Sequence, residues 1–205
     1  MNITLPLRNY GVGGENTYTT SKTRMRRDGI CLILVDAWDW HINSTYLEAV
    51  MENQNAMLRP LLATCRSGGI PIIHTPSLGT PSAIAKPLPG ETIIDPALLD
   101  YFTVRDALDA HLQSLRVPAH TLLFAGYSSN FCLLRAMIFM RTVMADSGGS
   151  KYRTILIRDC TVALETPESA PGRWCNYVAI NMMEQQWGSS ITLAELQKAL
   201  GEHTS

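Results

Sequence analysis

Long apolar runs, paired cysteines and an excess of charge of one sign are all missing from this 205-residue sequence. No stretch of about eighteen apolar residues occurs, so the sequence predicts no transmembrane helix. The first twenty residues lack the apolar centre of a signal peptide. The five cysteines are widely spaced and include no Cys-x-x-Cys pair, which argues against a disulfide framework or a structural zinc site. These absences predict a cytoplasmic protein with reduced thiols.

The balance of charge and apolar content excludes further classes of protein. A formal net charge of −1 provides no electrostatic attraction to nucleic acid or to an anionic membrane, so neither is predicted as a partner. Apolar residues make up 46% of the chain and charged residues 17%, which is typical of a compact fold and not of a disordered chain.

The order of apolar segments predicts the fold class. Short apolar runs typical of strands buried on both faces alternate with segments of helical periodicity. The four clearest runs are 30–35, 70–73, 121–125 and 153–157. This alternation predicts a three-layer, doubly wound α/β fold, with a mostly parallel sheet and helices on both of its faces. Such sheets bind ligands beyond the carboxyl ends of their strands.

The first 28 residues differ from the rest, being polar and only weakly periodic. They predict an extended N-terminal arm over residues 1–28, which packs on the domain or on a neighbouring subunit. Residues 29–205 form a single domain in this interpretation.

A cysteine at the start of a helix is the strongest candidate for chemistry. The run 121–125 leads through Gly126 and small polar residues into a helix whose first turn contains Cys132. Unpaired N–H groups at a helix N-terminus favour a thiolate, so the sequence predicts a nucleophile of lowered pKa. The alternative is a buried, unreactive cysteine, which is the interpretation for the other four.

A carboxylate is predicted at the same edge of the sheet. Asp36 directly follows the first apolar run, and it can accept the thiol proton as a general base. The alternative is an aspartate that only caps a turn.

Four segments together resemble the isochorismatase-like cysteine hydrolases, a family that includes nicotinamidases and N-carbamoylsarcosine amidohydrolase. They are Leu32–Asp36, Gly69–Thr75, Gly126–Cys132 and Ile155–Asp159. The resemblance implies a hydrolase that cleaves a C–N amide-type bond of a small carboxamide, ureido or carbamoyl compound. It implies a thioester at Cys132 and a catalytic role for Asp36, without a cofactor.

The resemblance also implies an oxyanion hole and a third catalytic residue. The backbone N–H groups of Ser128 and Cys132 would form the hole, beside a cis peptide bond between Tyr127 and Ser128. The family's lysine is expected about six residues before Phe102, but that segment contains no lysine. Lys86, in the proline-rich loop, is either its replacement or a surface residue. A ligand-binding protein without catalytic activity therefore stays open as an alternative.

Metal ligands and aromatic side chains have two interpretations each. Nicotinamidases bind zinc through an Asp-x-His pair and a second histidine, and the residues Asp39, His41 and His74 allow such a set. The favoured interpretation is hydrogen-bonded histidines and no metal. Trp38 and Tyr127 adjoin the proposed catalytic residues and are predicted to contact substrate.

Two further expectations concern ligands and assembly. A flavodoxin-like nucleotide-binding domain is a third hypothesis, but neither Gly-x-Gly-x-x-Gly nor Gly-x-x-x-x-Gly-Lys occurs. The family commonly self-associates, so the resemblance implies a homodimer or homotetramer that binds a small-molecule substrate.

Overall fold

The protein is built on one eight-stranded sheet. A computed structural model describes residues 1–11, 17–77, 80–95, 101–146 and 149–201, and of residues 101–104, 146 and 149 it describes the backbone only. The sheet has the strand order β2-β1-β10-β9-β6-β3-β4-β5. Its strands are β1 Asn2–Tyr10, β2 Tyr18–Arg26, β3 Ile30–Val35, β4 Ile72–Thr75, β5 Thr92–Ile93, β6 Thr121–Gly126, β9 Arg153–Ile157 and β10 Ser189–Ile191. A separate two-stranded ribbon consists of β7 Ala145–Asp146 and β8 Gly149–Ser150.

Helices cover both faces of this sheet. They are α1 Ser44–Asn53, α2 Arg59–Ser67, α3 Tyr101–Ser114, α4 Cys132–Thr142, α5 Trp174–Met182 and α6 Leu193–Gly201. Apolar side chains of α1, α2 and α6 pack on one face, and those of α3, α4 and α5 pack on the other. The strands from β10 to β5 are all parallel to their neighbours. The predicted three-layer α/β fold is therefore confirmed. None of the described helices is long and apolar enough to cross a membrane.

The segment predicted to be an extended N-terminal arm contains two paired strands that pack on the domain. Strands β1 and β2 pair along their whole length, and β1 adds antiparallel to β10. Ile3, Leu5 and Leu7 alternate with more exposed residues and are fully buried in the core. Strands β1 and β2 thus extend the sheet of the same domain, because the period-two apolar pattern of β1 gives it one buried face.

The chain reverses its direction across the sheet between β3 and β6. From β3 it proceeds outward through β4 and β5, and it then returns to β6 on the other side of β3. Parallel sheets bind ligands in the crevice at such a switch point. Asp36 and the turn before Cys132 follow these two strands, so the topology places both residues at that crevice.

Candidate active site

Asp36 is held rigidly at the end of β3. Its side chain is buried, and its backbone is left-handed with φ of 47°. The hydroxyl of Ser77 lies 2.6 and 2.5 Å from the two carboxylate oxygens, and the Ser77 N–H also donates to Oδ1. A buried carboxylate needs such donors to offset its lost hydration. Ser77 therefore determines how the Asp36 carboxylate is oriented.

Cys132 is the first residue of α4 and is only half-buried. The Oγ of Ser77 lies 3.9 Å from its Sγ, so one hydroxyl stands beside both the thiol and the Asp36 carboxylate. The predicted pairing of a cysteine from the end of β6 with an aspartate from the end of β3 is present in the structure.

The pKa of the Cys132 thiol differs from the prediction. Burial first, and then the hydrogen bond and negative charge of Asp36, raise this pKa to about 11, although Ser77 and Arg135 act to lower it. This direction is opposite to the expected lowering, because desolvation and an adjacent carboxylate disfavour the thiolate. At neutral pH the free protein holds a protonated thiol beside a proton acceptor.

Two backbone donors next to the thiol are unused. The peptide bond between Tyr127 and Ser128 is cis. The N–H groups of Phe131 and Leu133 both donate to the Ser128 carbonyl at 3.1 Å. Among the described residues, neither the Ser128 N–H nor the Cys132 N–H has a hydrogen-bond acceptor. An oxyanion hole requires donors free in this way.

Gly126 makes the close approach of these two strand ends possible. Its φ is 115°, and a Cβ built on it would lie 1.9 Å from the carbonyl oxygen of Val35. The N–H of Tyr127 donates to that same oxygen at 2.9 Å. A larger residue at position 126 would force the turn before Cys132 away from β3.

A cavity of about 360 Å³ opens beside the thiol, between the sheet and helices α3 and α4. Its walls are mainly apolar, including Ile33, Val35, Ile94, Leu108, Phe124 and Phe139. Among the described residues that line it, Asp36 and Arg135 carry the only charges. A small ligand with an apolar body and a polar reacting end fits such a cavity.

None of the lysines reaches this cavity in the part of the chain that the structure describes. Lys86 is exposed, and its carbonyl accepts a hydrogen bond from Arg66 at 3.2 Å. The structure therefore places Lys86 at the surface, away from the lining of the cavity. Residues 96–100, which belong to the segment where the resemblance places the lysine, lie outside the described residues.

The possible metal ligands have other partners. The N–H of Asn43 donates to Nδ1 of His41, whose ring stacks on Trp38 at a centroid distance of 5.4 Å. His74 contacts a carboxylate oxygen of Glu91 at 2.9 Å. Asp39 is exposed. No group of three potential metal-ligating side chains occurs among the described residues.

The two aromatic residues predicted to contact substrate do not line the cavity. Tyr127 is fully buried and donates to Asn53 at 2.9 Å, and Trp38 is also buried. Both pack in the core on the face of the sheet opposite the cavity. Both residues are close in sequence to the candidate catalytic residues, but this did not predict contact with the cavity. Neighbouring side chains can point to opposite faces of the sheet.

Tyr46 is a third aromatic residue near the site, and the sequence interpretation missed it. Its hydroxyl is buried beside Ser128, but the geometry between them does not satisfy a hydrogen bond. Burial foremost, with the nearby Cys132 and Asp36, raises the pKa of Tyr46. The hydroxyl is thus a neutral donor without a partner in the described structure.

Solved structures share this architecture. An isochorismatase from Pseudomonas putida KT2440 matches with a TM-score of 0.59 and 21% identity, over 83% of this chain and 91% of that one. A cysteine hydrolase from Pseudomonas syringae pv. phaseolicola 1448A matches with a TM-score of 0.65 and 14% identity, over 87% and 95%. The chain has the isochorismatase-like fold.

The isochorismatase-like fold supports more than one activity. The MAR1 ribonuclease from Caenorhabditis elegans also matches, with a TM-score of 0.61 and 16% identity over 87% of this chain and 85% of that one. No protein-family model and no curated protein matches the sequence. At these identities the likeness confirms the predicted fold, and the chemistry has to be argued from the site.

Besides Tyr46, two further residues of the candidate site, Ser77 and Arg135, were missed from the sequence. Ser77 lies in the proline-rich loop just after β4, where no local pattern marks a catalytic contact. Arg135 was detectable, because residues three apart on a helix share a face and Cys132 begins α4.

Proposed function

We propose that the protein is a cysteine-dependent hydrolase that cleaves a C–N amide-type bond of a small carboxamide, ureido or carbamoyl compound. The supporting observation is that Asp36 and Cys132 meet at one cavity, beside two unused backbone donors. The fold shared with a cysteine hydrolase agrees with this chemistry.

The first half of the reaction forms a thioester. The sulfur of Cys132 attacks the carbonyl carbon while its proton passes to Asp36. The N–H groups of Ser128 and Cys132 bind the resulting oxyanion, and each donor is worth about 3 kcal/mol in comparable systems. The C–N bond then breaks, and Asp36 returns the proton to the departing nitrogen, which leaves as ammonia or an amine.

The second half hydrolyses the thioester. Water attacks the acyl carbon and gives its proton to Asp36, and the oxyanion occupies the same two donors. The intermediate collapses with cleavage of the C–S bond. Asp36 then reprotonates the sulfur, and a carboxylic or carbamic acid departs.

The raised pKa of Cys132 suits this sequence of steps. A thiol that keeps its proton until attack needs a base within reach, and Asp36 is both the base and a cause of the raised pKa. Ser77 holds that base by two hydrogen bonds, so the proton transfers in both halves use one fixed carboxylate.

Ammonia release from a panel of small carboxamides, ureides and carbamoyl compounds tests the proposal. We expect turnover with at least one compound, a Cys132-bound acyl group in the intact mass, and loss of both in Cys132→Ala. The matched control is Cys175→Ala, because Cys175 is also half-buried but does not line the cavity. Turnover that survives in Cys132→Ala would refute the mechanism.

A ligand-binding protein without catalysis is the second candidate. It is supported by the position of Lys86, because no described lysine stands at the Cys132 cavity. This function predicts thermal stabilisation by a compound of the panel with no ammonia released. Ammonia release that depends on Cys132 eliminates it.

We further propose that the protein is cytoplasmic and self-associates. All five cysteines are free, as the cytoplasm maintains them. Trp174, Tyr177 and Val178 form an exposed apolar stripe on α5, which a second copy could cover. Light scattering tests the assembly, and a monomeric mass at micromolar concentration would contradict it.

A further inference from the structure

Arg135 is an unused cation at the candidate site. It lies one turn after Cys132 on α4, lines the same cavity and is exposed. Its positive charge acts on the Cys132 thiol, so the guanidinium is near the reacting sulfur. Within the described part of the chain, no carboxylate pairs with the Arg135 side chain.

Among the described residues that line the cavity, none pairs with the charge of Arg135. The walls around it are mainly apolar, and the cavity's carboxylate, Asp36, is bonded to Ser77 instead. The side chains of exposed arginines usually extend into solvent, whereas Arg135 lines the cavity that also contains the candidate nucleophile, Cys132. An anionic group on a bound molecule would be its natural partner.

We propose that Arg135 binds a carboxylate of the substrate, so that the compounds cleaved are small amides that also carry an acid group. This inference rests on the proposed function and narrows its substrate class. The guanidinium is planar and matches a carboxylate with two parallel hydrogen bonds. A guanidinium has donors and no acceptor, so Arg135 binds and orients the substrate and does not replace a catalytic lysine in proton transfer.

The dimensions of the site agree with this class of substrate. Side chains three residues apart on a helix share a face, and both Cys132 and Arg135 line the cavity, so one small molecule can contact the sulfur and the guanidinium together. The cavity of about 360 Å³ has room for a small molecule of this kind.

Alkylation of Cys132 tests the charge preference without any substrate. Iodoacetate and iodoacetamide differ by one negative charge, and mass spectrometry gives the rate of each reagent at Cys132. The quantity compared is the ratio of the iodoacetate rate to the iodoacetamide rate. Any change in the pKa of Cys132 affects both reagents equally and cancels in this ratio.

We expect the ratio to fall about five-fold in Arg135→Met, since a partly solvated charge pair contributes a factor of this order. Arg135→Lys should retain most of the ratio, and Arg135→Gln repeats the test should the Met variant fold poorly. The matched control is Arg141→Met, which removes an equal charge from an exposed position further along α4. A ratio that changes less than two-fold, or equally in Arg141→Met, overturns the inference, as does a Cys132 that neither reagent modifies.

Hydrolysis of a matched pair of amides provides the second measurement. Succinamate and butyramide have similar acyl chains and differ in the terminal carboxylate. We expect kcat/KM to favour succinamate in the unmodified protein, and the ratio of the two kcat/KM values, succinamate to butyramide, to fall in Arg135→Met. Hydrolysis of butyramide in preference to succinamate refutes the carboxylate site but leaves the hydrolase intact. If the alkylation ratio falls in Arg135→Met as expected but no panel compound is hydrolysed, the proposed hydrolase is refuted and the anion site is supported.

Discussion

Two polar clusters lie next to β4, and they differ in how completely their groups are paired. In the first, Glu91 accepts hydrogen bonds from Arg66 at 2.8 and 3.0 Å, from the Leu88 N–H at 2.9 Å, and contacts His74 at 2.9 Å. In the second, Ser77 bridges Asp36 and Cys132. We call the first cluster closed, because its carboxylate is paired with Arg66, His74 and a backbone N–H. The second leaves donors unused.

The difference separates a structural cluster from a reactive one. Burial alone would raise the pKa of Glu91, but its bonds to Arg66, Leu88 and His74 outweigh it and lower the pKa to about 2. Around Cys132, burial and Asp36 act together and raise the pKa to about 11. A charge stabilised by every neighbour maintains the fold, whereas a thiol beside a base and two free N–H groups is ready for a ligand.

The largest expected effect is that of Asp36→Asn, which should slow hydrolysis but make the Cys132 thiol more reactive towards alkylation. Asparagine keeps the acceptor for Ser77 and tolerates the left-handed backbone, but it removes the base. We expect hydrolysis to fall about 10²–10⁴-fold. Because Asp36 raises the pKa of Cys132, its removal should lower that pKa and accelerate alkylation by iodoacetamide at pH 8.

The pH dependence of alkylation checks this pair of outcomes. In Asp36→Asn the midpoint of the alkylation profile should move to lower pH than in the unmodified protein. Asp159→Asn is a control at another strand end, where the carboxylate caps α6 through the Leu193 N–H at 2.9 Å. Slower alkylation in Asp36→Asn would mean that the Asp36 carboxylate does not raise the pKa of Cys132.

The closed cluster predicts an effect on stability and not on reactivity. We expect Glu91→Gln to lower the free energy of unfolding by about 1–3 kcal/mol at pH 7, since it leaves Arg66 and His74 without their charged partner. The folded-state pKa of Glu91 lies below its ordinary value of 4.5. Its contribution is therefore present above pH 4.5 and is lost as the pH falls towards about 2.

Urea unfolding at several pH values measures this contribution. Burial chiefly lowers the pKa of His74, which is therefore neutral when folded, so its protonation below its ordinary value of 6.5 also destabilises the protein. The unmodified protein should lose stability from pH 6.5 downwards. Glu91→Gln should show a flatter profile only below pH 4.5, where the titration of Glu91 is missing, because Glu91 itself acts to raise the pKa of His74. Glu48→Gln, at an exposed site on α1, is the control. A change in the rate of Cys132 alkylation in Glu91→Gln would contradict the separation of the two clusters.

Sequence patterns predicted the fold because strand burial and strand order are local signals. The apolar runs located β3, β6 and β9, and the residues that follow parallel strands must share one edge. This reasoning brought Asp36 and Cys132 together without any contact information. The same reasoning could have found the hairpin, because Ile3, Leu5 and Leu7 alternate with a period of two.

Tertiary contacts between residues of the site could not be predicted from local sequence patterns. The pKa of Cys132 depends on burial and on the distance to Asp36, and neither is contained in the spacing of the residues. Ser77 comes from an irregular loop whose path follows from tertiary packing. Trp38 and Tyr127 show the same limit, because a position next to a catalytic residue does not determine which face a side chain occupies.

Ser77→Ala should have the smallest effect, and its sign opposes that of Asp36→Asn. The hydroxyl of Ser77 lowers the pKa of Cys132, so its removal should raise that pKa and slow alkylation several-fold at pH 8. Hydrolysis should fall about ten-fold, because Asp36 keeps the backbone donor at position 77 but loses the hydroxyl that orients it. Ser77→Thr should restore both rates, and Ser67→Ala, at an exposed serine that ends α2, should change neither. If Asp36→Asn and Ser77→Ala shift the alkylation midpoint in the same direction, Ser77 supports the thiol only by packing, and the bridge between acid and thiol has no chemical role.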